Sequence, residues 1–339
     1  MKRHPIDWPA VATRLGQLIP RERLHPEVLI WANGRPARER WAVALSGGAD
    51  STALLLLLWA HWPEKRQRLL VLHFDHRLRG KASRDDALFC QSVCSGLGVV
   101  FVGGHWSRPP KAPSEAVART ERFEFFQREL GRRRISVLWL GQQQDDIAET
   151  LLMRLARGSG TAGLAAPRPI HFLPKNRIHL RPMLSLKKEA IQTGLISAGA
   201  NWREDATNQE GTFFRNRVRN DVLSVWREAS KRDAVAGAAL SRELLAEDDD
   251  ALRHWLDRLF PDGIKPSLDL KRFAGVPRAI VRRALHRWLA AQPRPVEISK
   301  QGFERLLTAT ELGRDTRQSL GRLLFARIRK GVLEAQKAR

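Results

Sequence analysis

Sequence patterning predicts a doubly wound α/β domain followed by a basic domain that is all or mostly helical. Three observations carry this. Short apolar runs alternate with helical patterns between about residues 41 and 200, as expected of a parallel sheet covered on both faces. From Phe213 onward strand-like runs give way to helical apolar spacing. One apolar run, Trp41-Ala42-Val43-Ala44-Leu45, opens directly into Ser46-Gly47-Gly48-Ala49-Asp50-Ser51 and then a leucine-rich helix, the arrangement in which open α/β sheets bind their ligands.

Strands are expected at residues 41–45, 69–74, 99–103 and 135–140, with a fifth at 178–181, giving a five-stranded, mostly parallel sheet. Helices are expected between them at 52–61, 83–97, 114–130, 145–157 and 184–198, on both faces of the sheet. Residues 215–259 read as one or two long helices with an acidic cluster at 247–250, and Pro261-Asp262-Gly263 as a turn. Helical spacing with many arginines returns at 268–289 and 301–328. Ligands of such a sheet lie outside the carboxyl ends of the strands, so chemistry is sought in the loops that follow them.

At 339 residues the chain has room for two domains. Lys+Arg of 59 against Asp+Glu of 36 leaves +23, more than solubility requires, so a polyanion such as nucleic acid is the expected partner. An arginine-rich proteome is the bland alternative. Residues 260–339 hold 18 basic and 7 acidic side chains, so about a quarter of the length carries +11 of that charge. Cys90 and Cys94 lie on one side of a predicted helix and are too few for a metal site of their own; buried thiols in a reducing compartment fit them better. The longest apolar run, residues 53–60, falls well short of the roughly 20 needed to span a bilayer. The opening Met1-Lys2-Arg3-His4-Pro5 has no leader-like apolar core, and a cytoplasmic protein without membrane contact is expected.

The loop Ser46, Gly47, Gly48, Ala49, Asp50, Ser51 reads as a nucleotide phosphate site. Paired glycines allow a tight turn with N–H groups facing inward, and a helix expected to begin near Ser51 or Thr52 adds the positive end of its dipole. It lacks the lysine of the usual mononucleotide loop and carries Asp50 instead, suggesting magnesium beside a pyrophosphate. His73-Phe74-Asp75-His76 ends the second strand; it has the makings of a metal cluster, and equally of a plain loop with Ser83 capping the next helix. Asp145, Asp146 and Glu149 crowd one helix start after Gly141-Gln142-Gln143-Gln144; they complement the helix dipole or, in the mouth of an ATP site, hold magnesium or a substrate ammonium. Arg119 and Arg122 share a helix face and suit a transferring phosphoryl group.

These segments, in this order, resemble the tRNA(isoleucine)-lysidine synthase family of the ATP-pyrophosphatase (PP-loop) superfamily. Arg181-Pro182-Met183-Leu184, Asn201-Trp202-Arg203-Glu204-Asp205-Ala206-Thr207-Asn208 and Phe214-Arg215-Asn216-Arg217-Val218-Arg219 strengthen the likeness, which covers roughly residues 25–225. The resemblance implies a catalytic domain over 1–215, a helical linker over 216–262 and a tRNA-binding helical domain over 263–339, without the second C-terminal domain of longer members. It implies ATP and Mg2+, with free L-lysine and an isoleucine tRNA bearing a wobble cytidine as partners, and it allows a homodimer. ATP would adenylate the cytidine at its C2 oxygen, releasing pyrophosphate, and the lysine ε-amine would then displace AMP. Carried over residue by residue, Ser46 to Ser51 with His73 and Asp75 would bind the nucleotide. Asp50, Arg119, Asp146 and Glu149 would be catalytic, with Asp50 and Asp146 on magnesium and Asp146 and Glu149 on the lysine ammonium. Arg215, Arg217, Arg219, Arg282 and Arg283 would meet the tRNA.

One departure stands out. The family's Gly-His-His is here Gly141-Gln142-Gln143, and Ile147 replaces the glutamine common after the two aspartates. An amide neither carries charge nor shuttles a proton, so any acid–base role of those histidines is lost. Two alternatives therefore accompany the leading reading: a relative using another nucleophile, against which the position of Cys90 and Cys94 outside the motif loops counts, and a catalytically impaired tRNA-binding descendant.

Overall fold

The computed structural model describes residues 6–78, 80–110, 113–204, 213–293, 296–322 and 324–337, so residues 205–208 of the Asn201–Asn208 motif lie outside the described residues. The chain divides into two compact units, Met1–Leu244 and Leu245–Arg339. In the first, α1 (Trp8–Leu18) and α2 (Pro26–Asn33) lead into β1 (Trp41–Ala44), α3 (Ala49–His61), β2 (Leu69–Asp75), α4 (Lys81–Leu97), β3 (Val100–His105), α5 (Glu115–Arg133), β4 (Val137–Trp139) and α6 (Gln144–Leu155). A short α7 (Thr161–Leu164), the hairpin β5 (Ile170–Leu173) and β6 (Arg177–Leu180), and α8 (Lys188–Ala198) follow. Then come α9 (Phe214–Arg217), a π turn at Val218–Val222, α10 (Leu223–Ala229) and α11 (Ala234–Leu259), which runs across the boundary of the units.

The sheet order is β3-β2-β1-β4-β6-β5, with β1, β2, β3, β4 and β6 parallel. The five expected strands are present with ends shifted by a residue or two. The sixth, β5, pairs antiparallel with β6 and covers what would be a free edge. Strand order reverses between β1 and β4, so the crevice beyond their carboxyl ends is the topological switch point. Loop 46–48 leaves β1 at this point and residues 140–143 leave β4.

Strand alternation assigns each side chain to a face. Trp41, Val43, Val71, Val137 and Trp139 enter a core shared with α1, α3 and α8, whereas Ala42, Leu70, Leu72 and Leu138 pack with Phe125, Phe126 and Leu130 of α5 on the other face. Helix α3 is apolar all round and buried from Thr52 to Trp59, because it lies between the sheet and the outer helices α1 and α8. Trp41, Trp62 and Trp139 form one aromatic cluster with ring centroids 4.7–5.8 Å apart.

The second unit departs from the all- or mostly helical expectation. Helices α12 (Arg278–Ala290) and α13 (Lys300–Glu311) pack with a four-stranded antiparallel sheet ordered β7-β10-β9-β8, made by β7 (Leu268–Asp269), β8 (Thr316–Ser319), β9 (Leu324–Arg329) and β10 (Val332–Lys337). Arginines at 327 and 329 interrupt the apolar run of β9 on its open face, and this alternation reads equally as period two or as an arginine-rich helix. The core of this unit holds Leu285, Trp288, Leu306, Leu307, Leu320 and Ile328.

Truncating the aromatic cluster should be costly: Trp139→Ala is expected to lower the stability of the first unit by about 3–5 kcal/mol, the range for large aromatic deletions in a core. Urea unfolding followed by near-ultraviolet circular dichroism checks this.

Candidate active site

Loop 46–51 is a tight, self-bonded cradle. Gly47 has φ +92°, which a residue with a Cβ rarely adopts, and a Cβ there would meet Cys90 Sγ at 3.2 Å. Ser51 Oγ accepts from the Ser46 N–H (3.1 Å) and donates to the Gly48 carbonyl (3.1 Å), while Thr52 Oγ1 donates to the Gly47 carbonyl (3.3 Å). Helix α3 begins at Ala49, earlier than its apolar pattern suggests, with Gly48 at the N-cap. Ala49, Asp50 and Ser51 thus form its first turn, where N–H groups lack helical acceptors and favour an anion. The Arg203 N–H donates to the Gly47 carbonyl (2.9 Å), and its side chain pairs with Asp86 (2.7 Å), fastening the loop from behind.

Gly141, at the exit of β4, lies directly against this first turn; a Cβ there would fall 2.9 Å from the Asp50 carbonyl oxygen and 3.0 Å from Ser51 Cα. The two strand-end loops therefore touch through backbone, and the acidic start of α6 is brought over the cradle. Asp50 Oδ1 is buried without a hydrogen-bond partner. Burial, then the nearby Asp146, push the Asp50 carboxyl up to about 7. An unpaired carboxylate oxygen in a field of carboxylates fits a cation, and a first-turn cradle fits phosphate; ATP with magnesium satisfies both. Among the described residues no group of three or more His, Cys, Asp or Glu converges on a metal position, so such an ion would take its remaining ligands from phosphate and water. This also removes the metal reading of the 73–76 segment.

The α6 carboxylates have partners that sequence reading assigned elsewhere. Arg215 donates from Nη2 to Asp146 Oδ1 (2.6 Å) and from Nε to Glu149 Oε2 (2.6 Å). Arg219 donates from Nε to Glu149 Oε1 (2.5 Å), and Arg227 from Nη2 to Asp145 Oδ2 (2.7 Å). Glu149 is fully buried and Asp145 nearly so. The π turn at Val218–Val222 sets Arg219 beside Arg215 and α10 carries Arg227 onward to Asp145. Burial and the adjacent Glu149 raise the Asp146 carboxyl, opposed by Arg215.

Two glutamines complete this corner. Gln143 is the N-cap of α6, its Oε1 accepting from the Asp145 N–H (2.6 Å) while its own N–H donates to Asp146 Oδ2 (2.8 Å), a reciprocal capping box. Gln142 Oε1 accepts from Arg181 Nε. Each amide thus has a built structural role.

The remaining expectations divide. His73 is buried, its Nδ1 against the Leu45 carbonyl (2.9 Å) and its ring stacked on Phe101. Asp75 accepts from the Arg77 N–H (2.7 Å) and shapes the turn after β2. Ser83 does not cap α4, which starts at Lys81 after Gly80. Arg119 stands at the rim, 4.7 Å from the Phe123 centroid. Arg215 and Arg219, expected to face tRNA, are instead committed to Glu149 and Asp146, because burial of those carboxylates requires paired cations. Arg217 lies 6.0 Å from the Phe214 centroid. In the second unit Arg282 pairs with Glu304 and Arg283 with Asp249 (2.7 Å), so both hold helices rather than face outward unpaired. Arg227 and Arg181 were missed as site residues. Three acids within five residues were the signal that cations had to come from elsewhere, and the four-residue spacing of Arg215 and Arg219 marked one source.

A strand-loop-helix cradle at the switch point, with an orphaned carboxylate in its first turn, defines a nucleotide-binding protein of the PP-loop class. The PP-loop domain family matches residues 21–226. Relatives named tRNA(Ile)-lysidine synthase include those of Pseudomonas putida (35% identity, 75% of this chain and 61% of that one), Geobacter sulfurreducens (34%, 67% and 47%) and Pseudomonas aeruginosa (34%, 86% and 67%). The chain belongs to the tRNA(Ile)-lysidine synthase family of PP-loop proteins. It spans about half to two thirds of the length of these curated relatives. A U34-tRNA thiolase from Methanococcus maripaludis shares the fold, with a TM-score of 0.52 at 16% identity over 70% of this chain and 78% of that one.

Two substitutions separate folding from chemistry. Asp50→Asn should remove an unpaired buried carboxylate and raise the thermal midpoint, by about 2–4 °C per kcal/mol regained, while abolishing ATP–pyrophosphate exchange. Glu149→Gln should do the reverse to stability, leaving Arg215 and Arg219 short of countercharge at a cost of about 3–5 kcal/mol, read by calorimetry.

Proposed function

We propose that the protein is an ATP-dependent ligase that converts the wobble cytidine of an isoleucine tRNA to lysidine. The observation that carries this reading is the backbone contact of Gly141 with the first turn of α3, which joins a pyrophosphate cradle to an acidic helix start in one crevice. In the first step the cytidine C2 oxygen attacks the α-phosphorus of ATP and pyrophosphate leaves. In the second the neutral ε-amine of L-lysine adds at C2, the C2–O bond to AMP breaks, and the amine gives up a proton.

The first-turn amides of α3 would hold the departing pyrophosphate, and Arg119 would face the α-phosphate. Asp50 and Asp146 would hold Mg2+, which when bound offsets charge between phosphate oxygens. A carboxylate offers about four acceptor sites. Glu149 already accepts three donors from Arg215 and Arg219, whereas Asp146 accepts two, from Arg215 and Gln143. Asp146 thus has the spare capacity for the lysine ammonium, and Glu149 acts through the arginines it anchors. Both glutamines that depart from the family pattern are hydrogen-bonded parts of this corner, which favours an active enzyme over an impaired relative. Cys90 and Cys94 are buried, and burial pushes their thiols upward, Cys94 to about 12, which disfavours sulfur chemistry.

The RNA surface we propose in the second unit is the open face of its sheet rather than its helices. Arg317 stacks 4.1 Å from the Phe325 centroid, and Arg327 and Arg329 follow on the same face, while the helix arginines Arg278, Arg282 and Arg287 are engaged by Glu304, Glu311 and Asp257. Arginine beside a partly exposed aromatic suits phosphate and base contacts together. The described residues contain no helix long and apolar enough to cross a membrane, and the tRNA substrate puts the proposed reaction in the cytoplasm.

With ATP, Mg2+, labelled lysine and an unmodified isoleucine tRNA bearing a wobble cytidine, one lysine per tRNA and stoichiometric AMP are expected. Pyrophosphate exchange without lysine transfer would replace the nucleophile in this reading, and the absence of both would leave a tRNA-binding protein.

A further inference from the structure

Two sets of arginines surround the crevice, and they differ in kind. Arg215, Arg219 and Arg227 are all ion-paired with the acids of α6. Arg119, Arg122 and Arg181 have no carboxylate within ion-pair distance among the described residues. Arg119 and Arg122 lie 4.7 and 5.8 Å from the Phe123 centroid, and that ring also meets His179, 5.5 Å away on β6. Arg181 follows His179 by two residues and so leaves the strand toward the same face.

Arg181 is only 6% exposed, and the oxygens that hold it are both neutral. Its Nε donates to Gln142 Oε1, and its Nη1 to the Arg168 carbonyl (2.8 Å), while Nη2 has no acceptor among the described residues. A buried guanidinium normally sits on a carboxylate. The crowding of cations is felt by its neighbours: burial and then Arg119 lower Arg181 to about 10, and burial and then Arg181 lower His179 to about 3, keeping that imidazole neutral.

We propose that Arg122 and Arg181, with Arg119 at the rim, form a phosphate-binding subsite, and that Gln142 is a positioning residue that orients Arg181 without neutralising it. A carboxylate in the place of Gln142 would bond Arg181 as well or better and extinguish the positive field; a neutral amide fixes the guanidinium and leaves its charge for a ligand. The phosphate comes either from ATP or from the RNA backbone. The assignment rests on the PP-loop reading of the crevice, but its assays use ATP and bulk tRNA and do not depend on lysine transfer, whose failure would count against the proposed reaction alone.

The test compares the full-length protein with Gln142→Glu, Gln142→Leu, Arg122→Gln and Arg181→Gln by equilibrium dialysis with ATP and filter binding with unmodified bulk tRNA at several salt concentrations. Gln142→Glu should keep or raise the thermal midpoint while weakening one ligand at least tenfold, which no purely structural role of Gln142 would produce. If the phosphate belongs to ATP, only the dialysis constant moves. If it belongs to RNA, tRNA affinity falls and the slope of log K against log salt shrinks by about one for each phosphate no longer neutralised. Arg122→Gln, on a partly exposed side chain, should reproduce the same ligand selectivity even where a buried substitution fails to fold. Affinities for both ligands within twofold of wild type in folded Gln142→Glu and Arg122→Gln would overturn the proposal.

Discussion

Everything at the mouth of this sheet depends on how three carboxylates crowded at the start of one helix are paired. Asp145, Asp146 and Glu149 lie within five residues, where removal from water makes unpaired carboxylates costly. Arg215, Arg219 and Arg227 offset that cost with charge-assisted hydrogen bonds of 2.5–2.7 Å. The segment from Phe214 to Ala229 is consequently part of the site, although it follows the last strand of the sheet by more than thirty residues. Sheet topology places the acids, and the arginine segment makes them tolerable there.

Beside that corner, Asp50 has a buried carboxylate oxygen without a partner, and Arg119, Arg122 and Arg181 have no carboxylate within ion-pair distance among the described residues. An unpartnered carboxylate oxygen and a guanidinium held only by neutral oxygens flank the crevice. Such a pair of unmet demands is what a bound metal–nucleotide or nucleotide–RNA complex, itself carrying both signs, can meet from one position. The free crevice is thus electrostatically incomplete, in keeping with a site organised for a ligand rather than for its own stability.

Much of this was legible in the sequence. The alternation of apolar runs marked the parallel strands, and the Ser46–Ser51 loop between an apolar strand and an apolar helix located the cradle, because both signals are local. The antiparallel edge strand β5 was not visible, since Ile170–Leu173 is short and half exposed and owes its existence to pairing with β6. The sheet of the second unit was hidden for a related reason: Arg327 and Arg329 alternate with Ala326 and Ile328 in a pattern that a helix of the same composition also allows. The ion pairs of Arg215 and Arg219 were invisible because sequence displays charge without its partner; only tertiary structure reveals that a basic residue is already engaged. The same limit concealed the partner of Gln142, which stands out in the sequence without the guanidinium it faces.

The π turn at Val218–Val222 bears on how this lineage can change. A π turn is an α-helix holding one surplus residue, and each residue turns the chain by about 100°. Removing any one of the five would restore an ordinary helix and swing Arg227 out of line with Asp145 while Arg215, upstream, stayed in place. Point substitutions here alter one ion pair at a time, but a single-codon deletion would uncouple the downstream half of the clamp at once, so length in this segment is more tightly constrained than identity.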